Sequence, residues 1–190
     1  MQMHQSRTYS TAARRFHWWV VAALAIQFPL GIAMVVRGSW YDIWDTLTNA
    51  LYSTHKLLGV IILCLAILRL LYRLSRGTPD SEPSLMPWQK MLSHTTHWSM
   101  YALLLLVPIL GWYGVQLYPA LDVFDLFSLP ALVAPDNAAS GRVLQVHALA
   151  AFALLFLIAM HVSAALYHHF IRKDGVLIRM LPKLGAPADR

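Results

Sequence analysis

Four stretches of the chain run apolar for about twenty residues each, and polar, proline-containing links divide them. The first is Phe16 to Val36, "FHWWVVAALAIQFPLGIAMVV"; the others are roughly Leu51 to Tyr72, His97 to Leu117 and Val143 to Phe170. Runs of this length cross a hydrocarbon layer as helices. A helix is the form a lone segment takes in lipid, because it satisfies its own backbone hydrogen bonds. The pattern predicts an all-α, integral membrane four-helix bundle forming a single domain over residues 1–190. Arg14 and Arg15 resemble the charged start of a signal peptide. The run after them exceeds the usual apolar core of about 7–15 residues and no small-residue cleavage site follows. It is therefore read as a retained span, with Pro29 as a kink. Between the third and fourth spans, "ALDVFDLFSLPAL" suggests a short interfacial helix.

Composition agrees with this reading. Of 190 residues, 58% are hydrophobic and 13% charged, against about 25% charged in a soluble domain; mean hydropathy is +0.52. A net charge of +6 would suggest nucleic acid in a soluble protein, but here the basic residues cluster at span ends, so no nucleic-acid partner is expected. Arg7, Arg14, Arg15, Arg69, Arg73, Arg76, Lys90, Arg172, Lys173, Arg179, Lys183 and Arg190 fall on one side of the bundle. Only Arg37, Lys56 and Arg142 fall on the other. By the positive-inside rule both termini are cytoplasmic. Cys64, the single cysteine, lies in an apolar run and reads as a small buried hydrophobe.

Ionisable groups inside spans are expensive, and are functional suspects for that reason. The fourth span carries His147 and His161, fourteen residues apart. At about 100° and 1.5 Å per residue they share one face, within about 40°, yet lie about 21 Å apart along the axis. One metal ion cannot bridge that distance, whereas two stacked cofactors can. Haem iron in electron-transfer proteins takes axial histidines from facing helices, and direction and depth supply the partners. His17 enters on the cytoplasmic side where His161 arrives, and His55 enters on the outer side with His147. A lone interfacial histidine is usually an amphipathic residue with its tip in the headgroups; four that pair by depth call for more. His168, a further seven residues on, reaches toward the cytoplasm at the edge of the inner pair, while His169 reads as solvated. His94 and His97, at the start of span three, are alternatives to His17 as ligands, or groups that bind a haem propionate or a quinone. A histidine-lined cation pathway would need polar residues in mid-membrane, where the spans offer little beyond Gln27.

The segments "RRFHWW", "STHKLLGVIILCLAILRLLYRL", "SHTTHWSMY" and "VHALAAFALLFLIAMHVSAALYHHFIRKDGVLIRMLP" resemble the bacterial cytochrome b561 family. These are four-helix, two-haem proteins of the inner membrane that include a superoxide:ubiquinone oxidoreductase. The likeness covers all four spans and is weakest over residues 115–142. It implies two haem b groups with His17, His55, His147 and His161 as metal ligands, and places His168 at a quinone site, with His97 a further candidate there. It also implies electron flow from an outer one-electron donor, superoxide in the best-studied members, to ubiquinone. Lys56, directly after His55, is a candidate for steering an anionic donor locally, with headgroup contact as the plainer role. The rival reading is a haem-b subunit that passes electrons between quinone and a partner redox protein.

Overall fold

The computed structural model describes residues 8–181; His4, Arg7, Lys183 and Arg190 lie outside them. Four helices dominate: α1 (Thr11–Val35), α2 (Thr46–Arg76), α3 (Pro87–Leu117) and α4 (Asn137–Tyr167). Each is long and apolar enough to cross a membrane. A π-helical turn extends α1 over Val36–Trp40, and another extends α4 over His168–Arg172. Pro29 lies within α1 without interrupting it.

Local chemistry sets the ends. Ser10, Asp45 and Asp136 cap α1, α2 and α4, their side-chain oxygens accepting the N–H of Ala13, Thr48 and Ala139, which satisfies amide donors a helix start leaves unpaired. Pro87 opens α3, and the Gln89 side chain accepts the Met86 N–H at 2.9 Å. Gly77, at φ 70°, ends α2 in the left-handed region open to glycine. These caps lie outside the apolar runs, so the helices outlast the hydrophobic stretches. One consequence corrects the sequence reading. His97 is not at the start of span three but ten residues inside α3, about 15 Å along it.

The connection after α3 is not a helix. Asp122–Val123 (β1) and Phe127–Ser128 (β2) pair antiparallel, joined through Phe124 and Asp125 at φ 56° each. Left-handed backbone is unfavourable for a residue with a Cβ. It is held here by the Phe124 N–H donating to Ser53 Oγ at 3.0 Å and by Val123, which is fully buried. Cys64 also departs from expectation: it is exposed. On a span the outer surface meets lipid, so an apolar residue gains nothing by turning inward.

The helices pack as two pairs, α1 with α2 and α3 with α4, joined through α2 and α3. α4 makes few close backbone approaches to α1 or α2. Val20, Ala23, Ile62, Ala66, Leu104 and Leu154 form the buried cluster at mid-bundle, with Leu24 packed against it.

Candidate functional site

Two pairs of histidines face one another across the bundle. His55 and His147 have ring centroids 6.2 Å apart, and His17 and His161 have theirs 6.3 Å apart. An iron between two imidazoles needs a metal–nitrogen bond of about 2 Å on each side. With the two ring radii added, the centroids should be roughly 6 Å apart. Both pairs meet that figure although α4 stands away from α1 and α2 at the backbone, which is the arrangement a large planar group between helices requires.

The rings are held as ligands would be. His147 Nδ1 donates to the Val107 carbonyl at 2.8 Å, which fixes the tautomer and leaves Nε2 for a metal. A Cβ on Gly111 would come within 3.0 Å of His147 Cε1, and one on Gly31 within 3.1 Å of His55 Cε1; each glycine makes room for a ring. The Gln27 amide donates to the His55 carbonyl at 3.0 Å. Buried polar atoms left without a hydrogen-bond partner include His17 Nδ1, His55 Nδ1, Gln27 Oε1 and Trp112 Nε1. Buried polar groups are normally satisfied; the two histidine orphans are Nδ1 atoms, which leaves Nε2 of His17 and His55, as of His147, as the nitrogen open to a metal. The donor set is two facing imidazole pairs between apolar helices, which suits b-type haem.

Sequence spacing organises the whole interior more than the fourth span alone suggested. The fourteen-residue step of His147 and His161 recurs on the other helices: His17 to Gly31, Arg69 to His55, His97 to Gly111. One layer therefore holds His17, Arg69, His97 and His161, and the other holds Gly31, His55, Gly111 and His147. The midpoints, Leu24, Ile62, Leu104 and Leu154, all belong to the mid-bundle cluster. A sustained seven-residue core repeat is the signature of helices wound left-handed around one another. Arg69, Gly31 and Gly111 were missed from the sequence, and applying this step to every span would have found them.

His97 and His168, both expected near a quinone, sit in different surroundings. The His97 ring lies 5.3 Å from that of His161, closer than His17 does. It lines a cavity of about 40 Å³ with Tyr9, Arg69, Tyr72, Arg73 and Tyr101. Arg69 and Arg73 stack over Tyr101 at 5.3 and 5.4 Å. His168 is buried and its Nδ1 contacts Asp174 Oδ2 at 2.6 Å. Burial would raise the Asp174 carboxyl, but hydrogen bonds from His168, the Val176 N–H and Ser84 bring it below its ordinary value. The C-terminal segment folds across this end of the bundle, the Trp18 indole donating to the Met180 carbonyl at 3.3 Å and Ser84 Oγ to Asp174 at 3.1 Å. His94 is exposed and touches Trp98; His169 rests on Phe170.

At the opposite end the three basic residues are not equivalent. Arg37 pairs with Asp45 at 2.7 Å. Lys56 Nζ donates to the carbonyls of Ala120 and Asp122, so it fastens the hairpin loop beside His55 instead of standing free. Arg142 is exposed.

Comparison with known sequences places this architecture. A sequence model of the prokaryotic cytochrome b561 family matches residues 8–183. The chain is 31% identical over 176 residues to cytochrome b561 homolog 2 of Escherichia coli K12, covering 92% of each. It is 30% identical over 186 residues to a probable superoxide oxidase, CybB, of Yersinia pestis, covering 95% of this chain and 98% of that one. It is also 30% identical over 184 residues to cytochrome b562 of Cereibacter sphaeroides, covering 94% and 98%. The chain belongs to the prokaryotic cytochrome b561 family, membrane electron-transfer proteins that bind b-type haem.

Proposed function

We propose that this protein is a two-haem oxidoreductase of the bacterial inner membrane, carrying electrons from a periplasmic one-electron donor, superoxide by preference, to ubiquinone. The observation that carries the reading is the pair of facing imidazole couples, 6.2 and 6.3 Å across, one layer above the other in a four-span bundle. His55 and His147 would hold the outer haem and His17 and His161 the inner one; bound haem would supply reversible one-electron chemistry at iron. The charge asymmetry supports a cytoplasmic position for the termini and the His168 end.

The chain's own groups perform the remaining tasks. Val107, Gly111 and Gly31 orient the outer rings, so that little reorganisation accompanies a change of charge between them. Leu24, Ile62, Leu104 and Leu154 exclude water from the middle of the bundle. Reducing a quinone takes two electrons and two protons, and the His168–Asp174 pair serves the protons. With Nδ1 engaged by Asp174, His168 Nε2 is left to face a quinone oxygen, and the cytoplasm re-supplies the imidazole. His97, beside His161, offers a second hydrogen bond from within the bundle. The superoxide preference is supported by the name of the Yersinia pestis relative. Of the three outer basic residues Arg142 is the exposed one, which makes it the better candidate for guiding an anion.

One observation favours the rival reading, an electron carrier for a partner protein. The outer loop exposes Leu126 at 83% and Leu132 at 67%, an apolar surface that a partner could cover. Stopped-flow absorbance of the purified, oxidised protein mixed with superoxide separates the two. Rapid reduction of two haems per chain, reversed by ubiquinone, is the expected result. Two haems that ignore superoxide and reduce with quinol or a partner would establish the carrier, and a chain that binds no haem would overturn both.

A further inference from the structure

The two histidine layers carry different charge. Going around the bundle, the outer layer has glycine on α1 and α3 and histidine on α2 and α4. The inner layer has histidine on α1, α3 and α4, and on α2, where the outer layer has His55, it has Arg69. A guanidinium remains protonated at any pH a protein meets. It is costly to place in a span, and snorkelling to the headgroups is its usual relief. Arg69 instead turns inward. It lines the cavity shared with His97, lies over the Tyr101 ring and is within electrostatic reach of His17, His97 and His161. Among the described residues no carboxylate forms a salt bridge with it. Arg73, one turn nearer the cytoplasm, adds a second positive charge on the same rim. Among the described residues no cation acts in this way on His55: Lys56, its neighbour in sequence, is directed at loop carbonyls and faces the charges of Asp122 and Asp125.

We propose that Arg69 sets the direction of electron flow, by making the inner haem the more easily reduced of the two. The inference rests on the two-haem reading and goes beyond it, because bis-histidine ligation alone treats both sites alike. Adding an electron at a ferric haem removes one positive charge there. A fixed cation beside it therefore favours the reduced form, while the outer layer, about 21 Å away along the axis, feels far less of an interaction that falls with distance. One electron leaves the outer iron as one arrives at the inner, and no bond or proton need move. A carboxylate seated in the cavity would lie against both guanidiniums. Removing Arg69 would still subtract one positive charge from the inner layer, so the sign of the effect stands.

The test is a spectroelectrochemical titration of the purified holoprotein, with Arg69→Gln and Arg69→Lys beside the unaltered chain. Arg69→Gln should lower the inner midpoint and leave the outer one in place, changing the distribution of a single electron between the haems at least tenfold, or about 59 mV for a one-electron couple. Arg69→Lys should stay near the parent. Equal shifts at both haems, or none, would overturn the proposal. A second measurement does not depend on Arg69 variants accumulating. The haem that survives in His147→Ala is the inner one, and its midpoint should match the higher of the two in the parent. If it matches the lower, the proposal falls. Haem content in the same samples distinguishes this from failure of the two-haem reading, which would show as one haem or none per parent chain.

Discussion

Gly111→Ala is the most telling single perturbation of the outer pair, because it adds one methyl group and no charge. That methyl would stand 3.0 Å from His147 Cε1 and 3.1 Å from Nδ1, where comfortable carbon contacts begin at about 3.5 Å. The ring must therefore retreat by a few tenths of an ångström. The Nδ1–Val107 hydrogen bond, now 2.8 Å, is then stretched to the edge of its ordinary range, about 3.2 Å. Loss of such a supporting bond typically costs about 10–100-fold in metal affinity. The helix itself gains, since alanine is favoured over glycine by about 1 kcal/mol in a helix interior, which offsets much of a typical overpacking cost of about 1–3 kcal/mol. The expected result is a chain that folds and melts nearly as the parent does, yet yields its outer haem to a soluble haem scavenger at least tenfold more readily. Haem per chain by pyridine haemochrome absorbance and the low-spin electron paramagnetic resonance signals read this directly. Unchanged occupancy with unchanged signals, or loss of both haems in proportion, would refute the idea that Gly111 seats His147. Gly114→Ala is the contrasting control. Its methyl would overlap the Leu144 side chain, so it should disturb α3–α4 packing and both haems together.

Three further outcomes are expected. His147→Ala should remove the outer haem and leave the inner one visible in reduced-minus-oxidised spectra; loss of both would mean the pairs are not independent. Asp174 sits below the ordinary carboxylate value, so its contribution is complete above about pH 4 and is lost as the pH falls through its folded value. Protection against hydrogen exchange over residues 168–181, taken relative to the intrinsic amide rate at each pH, should fall in acid, and Asp174→Asn should remove that pH dependence while lowering protection at pH 7. Lys56→Met should leave the Ala120 and Asp122 carbonyls without their cation, weakening the loop by about 1.5–3 kcal/mol for hydrogen bonds to a charged group. Protease cleavage within residues 118–133 should then quicken, and a cleavage rate equal to the parent's would show that the hairpin is held by Val123 and Ser53 alone.

The number of spans, the all-α class and the pairing of His17 with His161 and of His55 with His147 by depth were legible in the chain. Hydrophobic length counts helices, and a constant rise per residue converts spacing into depth. Lateral information was legible only within one helix. His147 and His161 could be placed on one face, but which neighbour fills the space beside each ring depends on how every other helix is rotated about its own axis. Packing decides that rotation. Hence Gly31 and Gly111 were unremarkable glycines until α1 and α3 turned them against His55 and His147, and Arg69 read as a span-end charge until α2 turned it inward. His97 looked interfacial because its apolar run begins there, whereas Pro87 and Gln89 start the helix ten residues earlier and carry it into the bundle. Lys56 and the 122–128 hairpin belong to the same class: a lysine can bind any carbonyl within reach, and only the folded loop brings those of Ala120 and Asp122 to it. The order of residues along each helix determined the layers; the rotation of the helices against one another, set by side-chain packing, determined what each layer contains.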